Sequence, residues 1–167
     1  MKLTKIITAV LAVMLAVPAM GQNKGKSLEV SFNYEKQGGP GSNQYAVWIE
    51  NDKGNVVKTL FVTSFTAKGR ARGNAPAQRG YVMRPACVPT WVKVAKASEQ
   101  TDQQGKAVPQ GTYKVFVEAT LYNNSDIIYS GTFSTKDKAG NVTLTSKLTE
   151  PDEQHKNMVT NVKAVLK

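Results

Sequence analysis

The stretch TYKVFVEATLY, residues 112–122, constrains the fold more than any other part of the chain. Tyr113, Val115, Val117, Ala119 and Leu121 fall on one side of a two-residue repeat, and Lys114, Phe116, Glu118, Thr120 and Tyr122 on the other. A period of two marks an extended strand with one face against a core, because successive side chains point to opposite faces. The same alternation returns in LEVSFNY, where Leu28, Val30, Phe32 and Tyr34 share a face. It returns again in QYAVWIE and VVKTLFVT, which flank the turn NDKGN, where Gly54 supplies the positive φ that a hairpin turn requires. IIYSGTFS, VTLTSKLT and MVTNVKAVL continue the pattern, with NNSD and KDKAGN as turns between them.

Seven to eight short strands with almost no helical periodicity predict an all-β chain, an antiparallel β-sandwich of immunoglobulin-like size. One long loop interrupts it: AKGRARGNAPAQRG, from Ala67, is rich in Gly, Ala and Arg and shows no period. Trp91 to Ala97 is compatible with a helical turn after Pro89 or with a further strand.

The first residues read as an export signal. Lys2 and Lys5 precede the apolar run Ile6 to Val17, Pro18 breaks it, and Ala19-Met20-Gly21 offers small residues for cleavage after Gly21. The apolar run falls short of the roughly 20 residues that span a bilayer, which argues against the rival reading of an uncleaved anchor. Residues 1–21 are therefore expected to be a removed signal peptide and 22–167 a single sandwich domain, soluble, periplasmic or secreted. Cys87 is the only cysteine, so neither a disulfide framework nor a zinc site of paired cysteines is available.

Charge is unevenly placed. Between Lys53 and Ser98 stand Lys53, Lys58, Lys68, Arg70, Arg72, Arg79, Arg84, Lys93 and Lys96, nine positive charges without one Asp or Glu. Loss of Lys2 and Lys5 takes the formal net charge from +10 to +8, so everything else in 22–167 nets −1. A single-sign field of this kind attracts anions and speeds their encounter, although a solvated basic face is the simpler account of a charge run.

Catalytic chemistry finds little support. Cys87 has Arg84 and Lys93 nearby to lower its pKa, but the only histidine, His155, lies in the distant connection TEPDEQHKN, and a lone cysteine is more often a small buried hydrophobe. Asp152, Glu153 and His155 give no ligand cluster beyond a solvated loop, NDKGN lacks the later carboxylate of a calcium loop, and no metal or cofactor is expected. Glu50 and Glu118 lie in strands, where outward-facing salt bridges account for them. Nucleic-acid binding needs aromatic residues among the basic ones, and Lys68 to Arg84 holds only Tyr81.

RPACVPTWVK, residues 84–93, reads as a rigid crossover. Pro85 and Pro89 fix φ and remove donors, so the segment does not pair as a central strand. Trp91 brings a large apolar surface to be covered, with Arg84 held at the rim as a fixed guanidinium fork. Trp48 stands on the face opposite Tyr45, Val47 and Ile49, a face that the crossover can cover; Trp48 and Trp91 are not both expected to be central.

NQYAVWIENDKGNVVKTLFVTSFTAKG, RPACVPTW, GKAVPQGTYKVFVEATLY and the closing NVKAV resemble a predicted periplasmic family, domain of unknown function 2271. The third motif is also similar to the immunoglobulin-like domain of flagellar hook-capping proteins. The resemblance implies an exported sandwich, often encoded near membrane flavin- or iron-reductase components, and brings no catalytic residues with it. The expectation is a non-catalytic binding or accessory module, engaging an envelope protein or anionic ligand through Lys68, Arg70, Arg72, Arg79, Arg84 and Trp91. The alternatives are an accessory of a reductase system and a structural adaptor like the hook-capping domain; a reactive Cys87 comes last.

Overall fold

A computed structural model describes residues 6–14, 26–35, 44–68, 88–95, 108–121, 125–149, 152 and 154–167. Nine strands are present among them: β1 (Ile6–Met14), β2 (Ser27–Glu35), β3 (Gln44–Asn51), β4 (Val56–Val62), β5 (Thr112–Thr120), β6 (Asp126–Ser134), β7 (Gly140–Val142), β8 (Thr145–Leu148) and β9 (Val159–Leu166). They form two sheets, in the orders β1-β2-β9-β7 and β4-β3-β5-β6-β8, and every pairing is antiparallel. The all-β sandwich expected from the alternation is what the chain forms.

The principal core lies between the sheets. Leu28, Val30, Phe32 and Tyr34 of β2 and Val159, Ala164 and Leu166 of β9 meet Val47, Ile49, Leu60, Val115, Val117, Ala119, Ile127 and Phe133 of the opposite sheet. Burial alternates along β2 as the sequence does, so one pleat face enters the core and the other does not. β5 departs from this rule, because Phe116, Glu118 and Thr120 are buried along with Val115, Val117 and Ala119. Both faces of β5 are covered.

What covers the second face is α2 (Pro89–Val94). Ala46, Trp48 and Phe116 on the sheet, with Val88, Trp91 and Ala95 from the crossover, make a separate small core. Trp48 and Phe116 stack with ring centroids 4.8 Å apart. Trp48 and Trp91 are both fully buried in this cluster. The expectation that only one tryptophan is central therefore fails, because the sandwich has a second apolar layer outside the first.

Of the two forms the sequence left open after Pro89, the chain takes the helix, since Pro89 stands in its first turn, where a missing N–H costs nothing. Local structure departs from the sequence reading in two further places. Ala67 and Lys68, assigned to the long loop, complete a short helix α1 (Ser64–Lys68). VTLTSKLT is not one strand: β7 pairs with β9 in one sheet and β8 with β6 in the other, so the chain changes sheets at Thr143–Leu144. Gly131 of β6 admits the crossing, because a Cβ there would stand 2.3 Å from the Thr143 carbonyl oxygen.

The apolar run read as an export signal supplies β1, which pairs along the whole of β2 from Ile6↔Glu35 to Met14↔Ser27. No helix among the described residues is long and apolar enough to cross a membrane.

Candidate functional site

Of the residues expected to form an anion site, Lys68 ends α1 and Trp91 lies in α2. Arg70, Arg72, Arg79, Arg84 and Cys87 lie outside the described residues. Trp91 is fully buried and donates its indole N–H to Thr59 Oγ1 at 3.1 Å, so it anchors the crossover and presents no contact surface. Lys58, counted in the acid-free run, is buried in β4, while Lys53 and Lys93 are exposed. The basic segment thus contributes fewer charges to the surface than the sequence count.

The two ends of that segment are fastened to the sandwich by different chemistry. At its start, the Thr63 and Thr66 hydroxyls lie 2.9 Å apart and within 2.8 and 3.0 Å of Gln44 Oε1, so their two protons serve two of these three contacts at a time. Thr66 and Gln44 are buried, so α1 is held by a satisfied polar knot at the beginning of β3.

At its end, α2 begins at Val88, whose φ of 53° and ψ of 55° are left-handed. A β-branched residue pays about 1–2 kcal/mol for that conformation, and Val has no side-chain oxygen to cap a helix. The missing cap comes from β5. Glu118 Oε1 accepts from Thr90 N at 3.0 Å, and Oε2 accepts from Trp91 N at 2.9 Å. Thr120 Oγ1 accepts from Val88 N at 2.8 Å and donates to Asp126 Oδ1 at 2.5 Å. Three side chains and three backbone donors therefore close one buried network that the helix cannot close by itself.

Removal from water dominates its electrostatics. Burial pushes the Glu118 carboxyl above its usual range, against the opposing pull of hydrogen bonds from Thr90 and Trp91. Burial also raises Asp126 from 3.8 to about 7, the Thr120 hydroxyl opposing and the Glu118 charge adding to the rise. A perturbed carboxyl pair is a usual mark of a reactive site. Here both Glu118 oxygens are occupied by α2 and the side chain is fully buried, so the pair fastens the crossover.

Glu118 and Glu50 are corrected by this arrangement. Among the described residues neither makes an outward salt bridge: Glu118 caps α2, and Glu50 Oε1 accepts the Trp48 indole N–H at 2.8 Å. The network was legible only indirectly, in Trp48 and Phe116 on the supposedly outer faces of their strands, which signals a covering element.

Asp152 and His155 also do more than line a solvated loop. Asp152 accepts from Ser125 Oγ at 2.7 Å and from His155 N at 3.1 Å, and lies 2.8 Å from His155 Nδ1. Burial acts to raise its carboxyl, but these hydrogen bonds outweigh it and hold it below the usual range. Aspartate is the middle member here, so the hydroxyl faces a carboxylate whose lowered pKa makes it a weak base, and the trio clasps the approach to β9 onto the start of β6. No grouping of three metal-ligating side chains occurs among the described residues. No family model, curated protein or solved structure matches this chain.

Proposed function

We propose that the chain is an exported, non-catalytic accessory module, an immunoglobulin-like sandwich that offers the basic segment Lys68–Arg84 to an anionic partner in the periplasm. The partner class is an envelope protein or an anionic small molecule. One observation carries the reading: the acid-free, arginine-bearing segment leaves from α1 and returns to α2, and each of these short helices is tied to the sandwich by buried polar groups. Binding residues are often carried on a segment whose two ends are fixed to a rigid scaffold. The resemblance to domain of unknown function 2271 supports export and a sandwich, and the N-terminal Lys2-to-Gly21 pattern supports cleavage after Gly21.

The test is salt-dependent retention on an anionic matrix. Exposed charge contacts weaken as the screening length falls from about 10 Å at 0.1 M salt to about 3 Å at 1 M. Replacing Arg70, Arg72 and Arg79 together by Ala is expected to abolish retention at low salt while stability changes by less than about 0.5 kcal/mol. Equal retention with and without the three arginines would overturn the reading.

A further inference from the structure

The outer edge of β2 is built to accept a strand. Ser27 exchanges both backbone hydrogen bonds with Lys167, at 2.9 and 2.7 Å, so its N–H and C=O are spent on the β9 side. Because successive backbone groups alternate in direction along a strand, the N–H and C=O groups of Leu28, Val30, Phe32 and Tyr34 point to the opposite side. There they meet β1, which pairs with β2 residue for residue along nine positions without a bulge. The register sets Ile7, Ala9, Leu11 and Val13 opposite Tyr34, Phe32, Val30 and Leu28, the β2 residues that face the core. β1 also approaches β4, the outermost strand of the other sheet, so it closes one flank of the sandwich.

That flank carries an aromatic group. Tyr45 contacts Phe32 and Tyr34, each at 5.3 Å between ring centroids, and Phe61 of β4 at 5.2 Å. Tyr45 and Phe61 are only partly buried. Removal of residues 1–21 takes β1 away and leaves nine residues of β2 as an edge, with aromatic rings beside it. Long unguarded edges of this kind pair with whatever extended chain fits them.

We propose that this edge is a strand-accepting site for an extended apolar segment of another envelope polypeptide, added antiparallel to β2 in the place of Ile6–Met14. The inference rests on the reading of residues 1–21 as a removed signal. The chemistry of the occupant follows from the strand seated there: IITAVLAVM is apolar at every position except Thr8. A second copy pairing through its own β2 is the weaker fit, because its Leu28, Val30, Phe32 and Tyr34 are committed to its own core and leave the aromatic flank uncovered. Main-chain bonds to the edge supply affinity in such strand addition, and alternate side-chain positions supply selectivity.

The experiment uses the chain as isolated from the envelope of its host, with intact mass measured first. A lysine-flanked peptide carrying IITAVLAVM is the probe, and the same peptide with Pro at the Ala9 and Leu11 positions is the control. Hydrogen exchange at the amides of Leu28, Val30, Phe32 and Tyr34 is the readout. In a chain starting near Gln22 these amides should exchange fast alone and slow by about tenfold or more with the probe, but not with the proline peptide. A mass that retains Ile6–Met14 would overturn the signal reading and this site with it. A cleaved chain whose β2 amides ignore the peptide would overturn the strand-accepting site alone. Protection without peptide that strengthens with protein concentration would overturn it in favour of a second copy.

Discussion

Trp91 illustrates how much a single side chain does in this molecule. Its indole is fully buried against Trp48 and Phe116, its N–H reaches Thr59, and its backbone N–H is held by Glu118. Trp91→Ala removes the centre of the second core and should lower unfolding stability by about 3–5 kcal/mol in urea titration, as truncation of a buried aromatic does. A change below about 1 kcal/mol would mean that the small core collapses around the gap without loss. Asp126 gives a prediction of a different kind. Its ordinary value of 3.8 is raised to about 7 in the folded chain, burial being the main cause. Below about pH 4 the carboxyl is protonated in folded and unfolded chains alike, and its contribution is complete. Between about pH 4 and about pH 7 the unfolded chain has released the proton and the folded chain still holds it. Stability from this group therefore falls as pH rises, by up to about 1.4 kcal/mol per pH unit, and levels off above its folded value. Asp152 acts in the opposite direction: its lowered pKa adds stability above the carboxylate range that is lost as pH falls. Subtracting the pH–stability curve of Asp126→Asn from that of the parent chain isolates the Asp126 effect. A flat difference between pH 4 and 7 would show that the carboxyl titrates normally.

At the scale of elements, the helix α2 is held from outside. Val88 is a poor helix start, left-handed and unable to cap, and the first donors of the helix are met by a carboxylate from β5. Glu118→Gln keeps the shape but sets an amide NH2 against one of the two backbone donors. It should lower stability by about 1–3 kcal/mol, the usual result of leaving a buried donor unmet. Hydrogen exchange should locate the loosening at Thr90 and Trp91; unchanged exchange there would show that another group caps the helix. The switch of sheets between β7 and β8 depends on Gly131 in the same local way. Gly131→Ala would drive a methyl group into the Thr143 carbonyl, and the adjustment should destabilise the sandwich by about 1–3 kcal/mol, read from the midpoint of thermal unfolding.

For the whole molecule, the two cores form one arrangement in which a sandwich carries α1 and α2, the described elements on either side of the basic segment. Arg84 separates a specific anion site from a diffuse one. Arg84→Lys keeps the charge and loses the planar fork, so retention of a carboxylate or phosphate ligand should drop at a specific site and stay unchanged on a diffuse basic face. The sequence by itself determined β2 to β6 and β9, the hairpin turn at Gly54 and the inward face of β2, because period-two alternation and turn chemistry are local and each is written in adjacent residues. It also determined that Trp48 lies on the face away from Tyr45, Val47 and Ile49. Only the tertiary structure decided that this face is buried, that Glu118 caps a helix 27 residues away in sequence, and that VTLTSKLT divides between two sheets. Those outcomes depend on which distant segment arrives at a given surface. A buried carboxylate and an exposed one have the same sequence, and desolvation separates them only after the chain has closed over one of them.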